Sequence, residues 1–192
     1  MTTKPYLSAV SLLSLLLLGS CLPKEEDPTP SLPPVTQTGQ NTTGAKIDGQ
    51  VWVPVQGGLF APPAVEARYR KSVTGNQLNL YFSRTPLDEN APLNETSIRF
   101  YVPDIRQPGA VALNQAADPT LTTSNPAYAT FTYAQPSPDQ VLITGPGAPG
   151  QLLITRLDTV ARIVAGTFEF EAKEAGGAGM VKVTEGRFDL TY

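Results

Sequence analysis

The 192-residue chain contains no histidine and a single cysteine, Cys21. Without histidine it lacks the commonest general base and the commonest transition-metal ligand, so Ser-His-Asp and Cys-His catalytic arrangements are excluded. A single cysteine excludes an intramolecular disulfide, a cysteine-based zinc site and an iron–sulfur cluster. We therefore expect a protein that holds neither a metal ion nor a cofactor.

An excess of positive charge is also missing. The chain has 14 lysines and arginines against 17 aspartates and glutamates, a net charge of −3. Proteins that bind nucleic acid by displacing counterions need the opposite sign, so we expect no nucleic-acid partner. Hydrophobic residues make up 41% of the chain, which is enough for the core of one globular domain.

The hydrophobic run near the N terminus is short. After Lys4, residues Leu7–Leu18 carry no charge, but a helix of this length spans about 18 Å, against about 30 Å for the hydrocarbon core of a bilayer. A basic start, a short apolar run and small residues before a break are typical of a secretory signal peptide. We assign residues 1–20 to this signal, with cleavage after Ser20.

The break itself reads Leu18-Gly19-Ser20-Cys21, which resembles the lipobox of bacterial lipoproteins. The resemblance implies a diacylglycerol in thioether linkage to Cys21 and an acyl chain on its new amino terminus. Several acyl chains suffice for stable anchoring, so the mature protein would be attached to a membrane without spanning it. The alternative is an ordinary signal peptide followed by a chance cysteine.

A basic residue and three acidic residues follow at Lys24-Glu25-Glu26-Asp27. They resemble the surface-export signal of lipoproteins in the Bacteroidota, which directs a protein to the outer face of the outer membrane. The resemblance implies a lipid-anchored protein of the outer membrane that is exposed at the cell surface. The alternative is a solvated charge cluster, with the protein on the periplasmic face.

Residues 21–44 have the composition of a disordered tether. Five prolines in its first part favour an extended chain, and the second part, rich in Thr, Gln, Asn and Gly, predicts flexibility. Such a stretch would reach roughly 70 Å when extended and about 25 Å as a coil. We expect the folded domain to cover residues 45–192.

That domain shows the alternation of β-strands. Leu78, Leu80 and Phe82 alternate with polar residues, and Asp48-Gly49 is a strong signal for a two-residue hairpin turn. Similar runs recur between Pro- and Gly-containing turns along the whole domain. The pattern predicts an all-β fold, an antiparallel β-sandwich or barrel of about ten short strands.

The last predicted hairpin shows a change of phase. Phe168 and Phe170 share one face of its first strand, and Val183 lies on the inward face of the return strand. Farther along that strand the inward positions shift by one residue, from odd to even numbers. We expect a β-bulge at Glu185-Gly186 to restore the inward face, with the glycine in the left-handed conformation.

Three segments of the domain resemble conserved lipoprotein domains of unknown function in the Bacteroidota. They read GAKIDGQVWVP at 44–54, IVAGTFEFEAK at 163–173 and VTEGRFDLTY at 183–192. The resemblance covers the two ends of the domain and implies a fold and a location. It implies no activity.

Catalysis would have to use carboxylates alone. The predicted hairpin brings Glu169, Glu171, Glu185 and Asp189 near one another, and two carboxylates can suffice for a glycosidase. The alternative is that they line the solvated face of an amphipathic hairpin. We favour this second interpretation and expect the domain not to be an enzyme.

Three aromatic residues fall on the polar-facing phase of their strands, namely Trp52, Tyr81 and Tyr101. Exposed aromatic rings can stack on sugar faces or contact a protein, although a loop or an opposite sheet could cover them. We therefore expect a non-catalytic surface module that binds a glycan or an envelope protein, or has a structural role in the envelope. The alternative is a carboxylate-based hydrolase such as a glycosidase.

Overall fold

A computed structural model describes residues 31–192 except 74, 89, 92, 122, 123, 135 and 136. The described residues form eleven β-strands, and each long strand follows one of the alternating runs. The strands are β1 (Thr42–Ile47), β2 (Gln50–Trp52), β3 (Val65–Lys71), β4 (Asn76–Arg84), β5 (Thr96–Val102), β6 (Gly109–Ala112), β7 (Tyr128–Tyr133), β8 (Gln140–Ile143), β9 (Gly150–Asp158), β10 (Ile163–Glu174) and β11 (Met180–Thr191).

These strands pair into one antiparallel sheet that curls into a half-barrel. Its order is β2-β1-β11-β10-β8-β7-β5-β4-β3, and β9 pairs with the first part of β10 while carrying β6 on its other side. The predicted all-β antiparallel class is confirmed. In place of two packed sheets, the curl of one sheet encloses the core.

The curl brings the distant strands of the sheet together. The rings of Tyr69 on β3 and Tyr192 after β11 lie 5.4 Å apart between centroids. At the core, Phe100 on β5 meets Phe168 on β10 at 4.9 Å and Phe170 at 5.7 Å. All three phenylalanines are buried, which confirms the predicted inward phase of β10.

The first hairpin has the predicted turn. Ile47 pairs with Gln50, and the two residues between them take positive φ angles, 48° at Asp48 and 86° at Gly49. Positive φ at both central positions is what a type I′ turn requires, and that turn matches the twist of the strands on either side. The Asp-Gly signal is therefore confirmed.

The bulge in β11 is also confirmed, although its backbone differs from the prediction. Between the pairs Phe168–Gly186 and Phe170–Val183, β11 contains one residue more than β10. Glu185, and not Gly186, adopts the left-handed conformation, with φ of 52°. The glycine is needed for a different reason, because a Cβ at position 186 would lie 2.3 Å from the ring of Phe168.

The predicted flexible tether is wrong for its last part. Residues 36–40 pack against β11, and β1 begins at Thr42 within the segment assigned to the tether. Arg156 also donates a hydrogen bond to the carbonyl of Gln37. The physical reason is a buried carboxylate, Asp189, whose hydrogen bonds to this segment offset the entropy lost when the segment is ordered.

Candidate binding face

The face of the sheet opposite the core carries polar and aromatic side chains on four adjacent strands, β3, β4, β5 and β7. Strand register aligns them in two rows across the sheet. One row runs Arg68, Asn79, Tyr101, Tyr128 and the other runs Glu66, Tyr81, Arg99, Thr130. We call this surface the tyrosine–arginine face.

Aromatic contacts hold the side chains of this face in place. The rings of Tyr101 and Tyr128 stack with their centroids 5.3 Å apart and their planes 23° apart. The guanidinium carbon of Arg99 lies 5.6 Å from the ring centroid of Tyr81, within the range of a cation–π interaction. The face therefore presents a supported aromatic surface with cationic groups beside it.

Two shallow depressions lie side by side on this face. The first has a volume of about 430 Å³ and the second about 320 Å³. Tyr81 and Arg99 line both, so the depressions form one groove across the strands. Arg68 and Arg70 line the end over β3, and Pro119 and Thr120 line the end over β7.

Pro119 and Thr120, which lie between β6 and β7, form the wall at the second end. Asn125 is buried, its side chain accepts a hydrogen bond from the amide of Asp118, and it donates to the carbonyls of Asp118 and Leu121. This segment leaves Tyr128 only 5% exposed. Burial raises the pKa of Tyr128, an effect that the nearby Arg99 charge opposes.

The groove is cationic in a chain with a net negative charge. In its first part three arginines face a single carboxylate, Glu66, which is paired with Arg68. Among the residues that the structure describes, neither Arg70 nor Arg99 forms an ion pair with a carboxylate. Asp139 lines the second part, so the three arginines exceed the carboxylates of the whole groove by one positive charge, which is available to a ligand.

Of the three predicted binding aromatics, the structure brings two together. Tyr81 and Tyr101 lie on adjacent strands of the tyrosine–arginine face and are half-buried. The expectation that Trp52 faces solvent is wrong, because this side chain is fully buried and its indole N–H donates to Thr96 Oγ1 at 2.9 Å. The curl of the sheet places β2 over the start of β5, which covers the indole.

The four arginine and tyrosine residues that complete the face were missed in the sequence. Arg68, Arg70 and Arg99 alternate with inward-facing residues, so the sequence does predict that their side chains face away from the core. Their convergence was not, because it depends on β5 pairing with both β4 and β7. That pairing also places Tyr128 directly beside Tyr101.

The four candidate catalytic carboxylates do not all converge, but Glu169 lines one depression with Glu171 and a second depression with Glu185. Glu169 is exposed and Glu171 half-buried, beside a depression that Lys182 also lines. Glu185 forms an ion pair with Lys46, with 2.6 Å between Oε1 and Nζ. Asp189 is buried on the far side of the bulge and engaged by the segment before β1.

Asp189 has the environment of a structural anion. Its carboxylate accepts hydrogen bonds from Thr36 Oγ1 at 2.7 Å and from the amides of Thr38, Gly39 and Gln40 at 2.8, 2.6 and 3.2 Å. Burial by itself raises the pKa of Asp189, but these hydrogen bonds outweigh it and hold the pKa below its ordinary value. The group is fully occupied within the fold.

The predicted signal peptide, the cleavage at Ser20, the lipidation at Cys21 and the export residues Lys24, Glu25, Glu26 and Asp27 lie outside the described residues. Within the described part of the chain, no helix is long and apolar enough to cross a membrane. The same part contains no cluster of three or more acidic or cysteine side chains that could hold a metal ion.

Comparison of the chain with protein-family models, with curated proteins and with solved structures found no match.

Proposed function

We propose that this protein is a lipoprotein anchored through Cys21 in the outer membrane and exposed at the cell surface, whose β domain binds an acidic glycan without catalysis. One observation carries the binding proposal, namely the groove in which Tyr81 and Arg99 join two depressions. The lipobox and the acidic segment after it support the location.

The chemistry of the groove favours a sugar ligand. Stacked or half-buried tyrosines offer flat apolar surface, which suits the C–H faces of pyranose rings, with a hydroxyl at the rim for hydrogen bonding. Asn79 and Gln77 add amide donors and acceptors along the same floor. An elongated, shallow and mostly polar groove fits an extended chain of sugars better than a small apolar molecule.

The arginines indicate the class of glycan. A guanidinium presents its N–H donors in a fixed planar fork that matches a carboxylate or a sulfate in two parallel hydrogen bonds. Arg70 and Arg99 stand at different positions along the groove, so they suit a polymer with repeated acidic groups. Uronic-acid and sulfated polysaccharides have this property.

The carboxylates support a non-catalytic domain. A glycosidase requires two carboxyl groups roughly 5–9.5 Å apart that face one sugar ring, and one of them must act as an acid. Glu66, the carboxylate of the first depression, is held by Arg68. Among the described residues, no second carboxylate lines that depression, so it lacks the pair that a glycosidase needs.

A polysaccharide array tests the binding proposal. The mature protein is applied to alginate, polygalacturonate and hyaluronan, with neutral dextran as the comparison. We expect retention on at least one acidic polysaccharide and loss of that retention in Tyr101→Ala and Arg99→Ala. The matched control Glu169→Gln, an exposed change outside the groove, should bind like the wild type. Equal retention of all four proteins would contradict the proposal.

The anchor and the export signal are tested in cells. A Cys21→Ala protein should accumulate as the longer precursor and incorporate no labelled palmitate, whereas equal labelling of both forms would overturn the anchor. Replacing Lys24-Glu25-Glu26-Asp27 by alanines should protect the protein from protease added to intact cells. A wild-type protein that is already protected would refute the surface location.

A further inference from the structure

We propose that the loop between β2 and β3 is a second membrane contact, which inserts Leu59 and Phe60 into the lipid headgroup region beside the acylated Cys21. This inference rests on the proposed lipid anchor and adds a defined orientation of the domain. Leu59 is 88% exposed and Phe60 97% exposed, which is unusual for two adjacent large apolar side chains on a soluble surface.

The backbone of the loop directs both side chains outward. The amide of Ala61 donates a hydrogen bond to the carbonyl of Gly58 at 3.2 Å, which closes a tight turn with Leu59 and Phe60 at its two corners. Gln56 braces this turn by donating from Nε2 to the carbonyl of Ala61 at 2.7 Å. The exposure of the two side chains is therefore built into an ordered turn.

The composition of the loop suits a lipid interface. Residues 55–64 contain no charged side chain, so no ion has to be desolvated when the tip enters the headgroup region. Gly57 packs against Thr85, and the adjoining loop exposes a third apolar side chain, Leu87. Asp88 beside Leu87 is exposed as well, which favours zwitterionic over anionic lipid.

The segment that leads from Cys21 enters the domain beside this loop, which places the loop on the membrane side. Ser31 and Pro33 line the same cleft as Pro54 and Val65, the residues from which the loop departs and to which it returns. Nine residues lie between Cys21 and Ser31, and the ten Cα–Cα steps that join these two residues reach only about 35 Å even when fully extended. A lipid anchor at Cys21 therefore holds this end of the domain close to the bilayer.

The small size of the patch favours lipid over a protein partner. A buried aromatic side chain covers about 150–250 Å², so Leu59 and Phe60 together provide less than the roughly 800 Å² that each partner contributes to a specific protein interface. Beside an existing anchor the second contact is intramolecular, and a weak intrinsic affinity then suffices. The same two side chains can therefore orient the anchored domain at the membrane, although without the anchor they would not hold the domain there.

A fluorescent label reports the insertion directly. The mature acylated protein is prepared as Phe60→Cys and, as a matched control, as Val73→Cys, a fully exposed apolar position in the turn at the opposite end of β3. Each introduced thiol is the only free one, because Cys21 is blocked by its thioether. Both proteins are labelled with an environment-sensitive dye and reconstituted into phosphatidylcholine vesicles.

We expect a blue-shifted emission and quenching by nitroxide-labelled lipids at position 60, with a depth of about 5–10 Å below the headgroup boundary, and neither effect at position 73. A label at Leu87→Cys should show weaker quenching that disappears when Leu59→Asp and Phe60→Asp are added. Equal signals at positions 60 and 73 in protein that floats with the vesicles would overturn this inference and leave the anchor intact. Protein that does not float with the vesicles would overturn both.

Discussion

Replacing Asp189 by asparagine should detach the segment before β1 and destabilise the domain. The carboxylate of Asp189 is 1% exposed and uses both oxygens, Oδ2 toward Thr36, Thr38 and Gln40 and Oδ1 toward Gly39. Asparagine keeps one oxygen and replaces the other with an NH₂ group. In either orientation, at least one backbone N–H would face another donor.

The magnitude follows from these contacts. Hydrogen bonds to a charged group contribute about 1.5–3 kcal/mol each, neutral ones about 0.5–1.5, and an unpaired buried donor costs about 1–3. Because these hydrogen bonds share one carboxylate, their effects are not additive. We expect the free energy of unfolding of Asp189→Asn to fall by about 2–4 kcal/mol, which for a domain of this size lowers Tm by roughly 4–16 °C.

The effect should depend on pH in a defined direction. Since the hydrogen bonds lower the pKa of Asp189 in the folded state, the carboxylate contributes stability above its unfolded pKa of about 3.9 and loses it as pH falls through the lower folded value. The difference in Tm between wild type and Asp189→Asn should therefore be largest at neutral pH. It should shrink as pH falls below about 4 and disappear only below the folded-state pKa, where the folded wild-type side chain is protonated.

Thermal unfolding followed by circular dichroism at neutral and acidic pH measures this prediction, with Glu169→Gln as the exposed carboxylate control. Amide hydrogen exchange at Thr38 and Gly39 should accelerate in Asp189→Asn at neutral pH and stay unchanged in the control. A variant with the wild-type Tm, or a difference in Tm that does not change with pH, would refute the role assigned to this carboxylate.

Three further predictions concern the core and the surface of the half-barrel. Phe168→Ala should lower the free energy of unfolding in urea by about 3–5 kcal/mol, because the ring is buried among other phenylalanines. The double change Glu169→Gln, Glu171→Gln should alter it by no more than about 0.5 kcal/mol. Similar losses in both variants would contradict the assignment of Phe168 to the core and of the two glutamates to the surface. Gly186→Ala should cost about 1–3 kcal/mol because its Cβ would collide with the Phe168 ring, and an unchanged midpoint would mean that the bulge is misplaced. Trp52, the only tryptophan, is fully buried, so its fluorescence should resist iodide quenching until the protein unfolds, and quenching in the native state would contradict its burial.

The sequence was informative wherever local geometry decides the outcome. The Asp48-Gly49 turn and the phase change in β11 each follow from nearby residues, and both are present in the structure. Even so, Glu185 is the residue of the bulge that adopts the left-handed conformation. Gly186 is needed for another reason, because the Phe168 ring leaves no room for a Cβ at that position. That requirement comes from packing across strands, which alternation does not reveal.

Long-range contacts account for what the sequence could not predict. The anchor of residues 36–40 is Asp189, about 150 residues away, so composition alone indicated a flexible tether. Trp52 was misassigned for a similar reason, since its partner Thr96 reaches it only through the curl of the sheet. The tyrosine–arginine face likewise requires β7 to pair with β5 across a long connection.

The most direct test of the proposed glycan site is hydroxyl-radical footprinting of the mature protein with and without each acidic polysaccharide of the array. Oxidation of Tyr81 and Tyr101 is measured by mass spectrometry. Tyr69 and Tyr192, whose tilted rings contact each other and do not line the groove, are the internal controls. The proposal predicts that a retained polysaccharide protects Tyr81 and Tyr101 and leaves the control pair unchanged, with dextran protecting neither. A polysaccharide that binds while Tyr81 and Tyr101 are oxidised at the free-protein rate would contradict it.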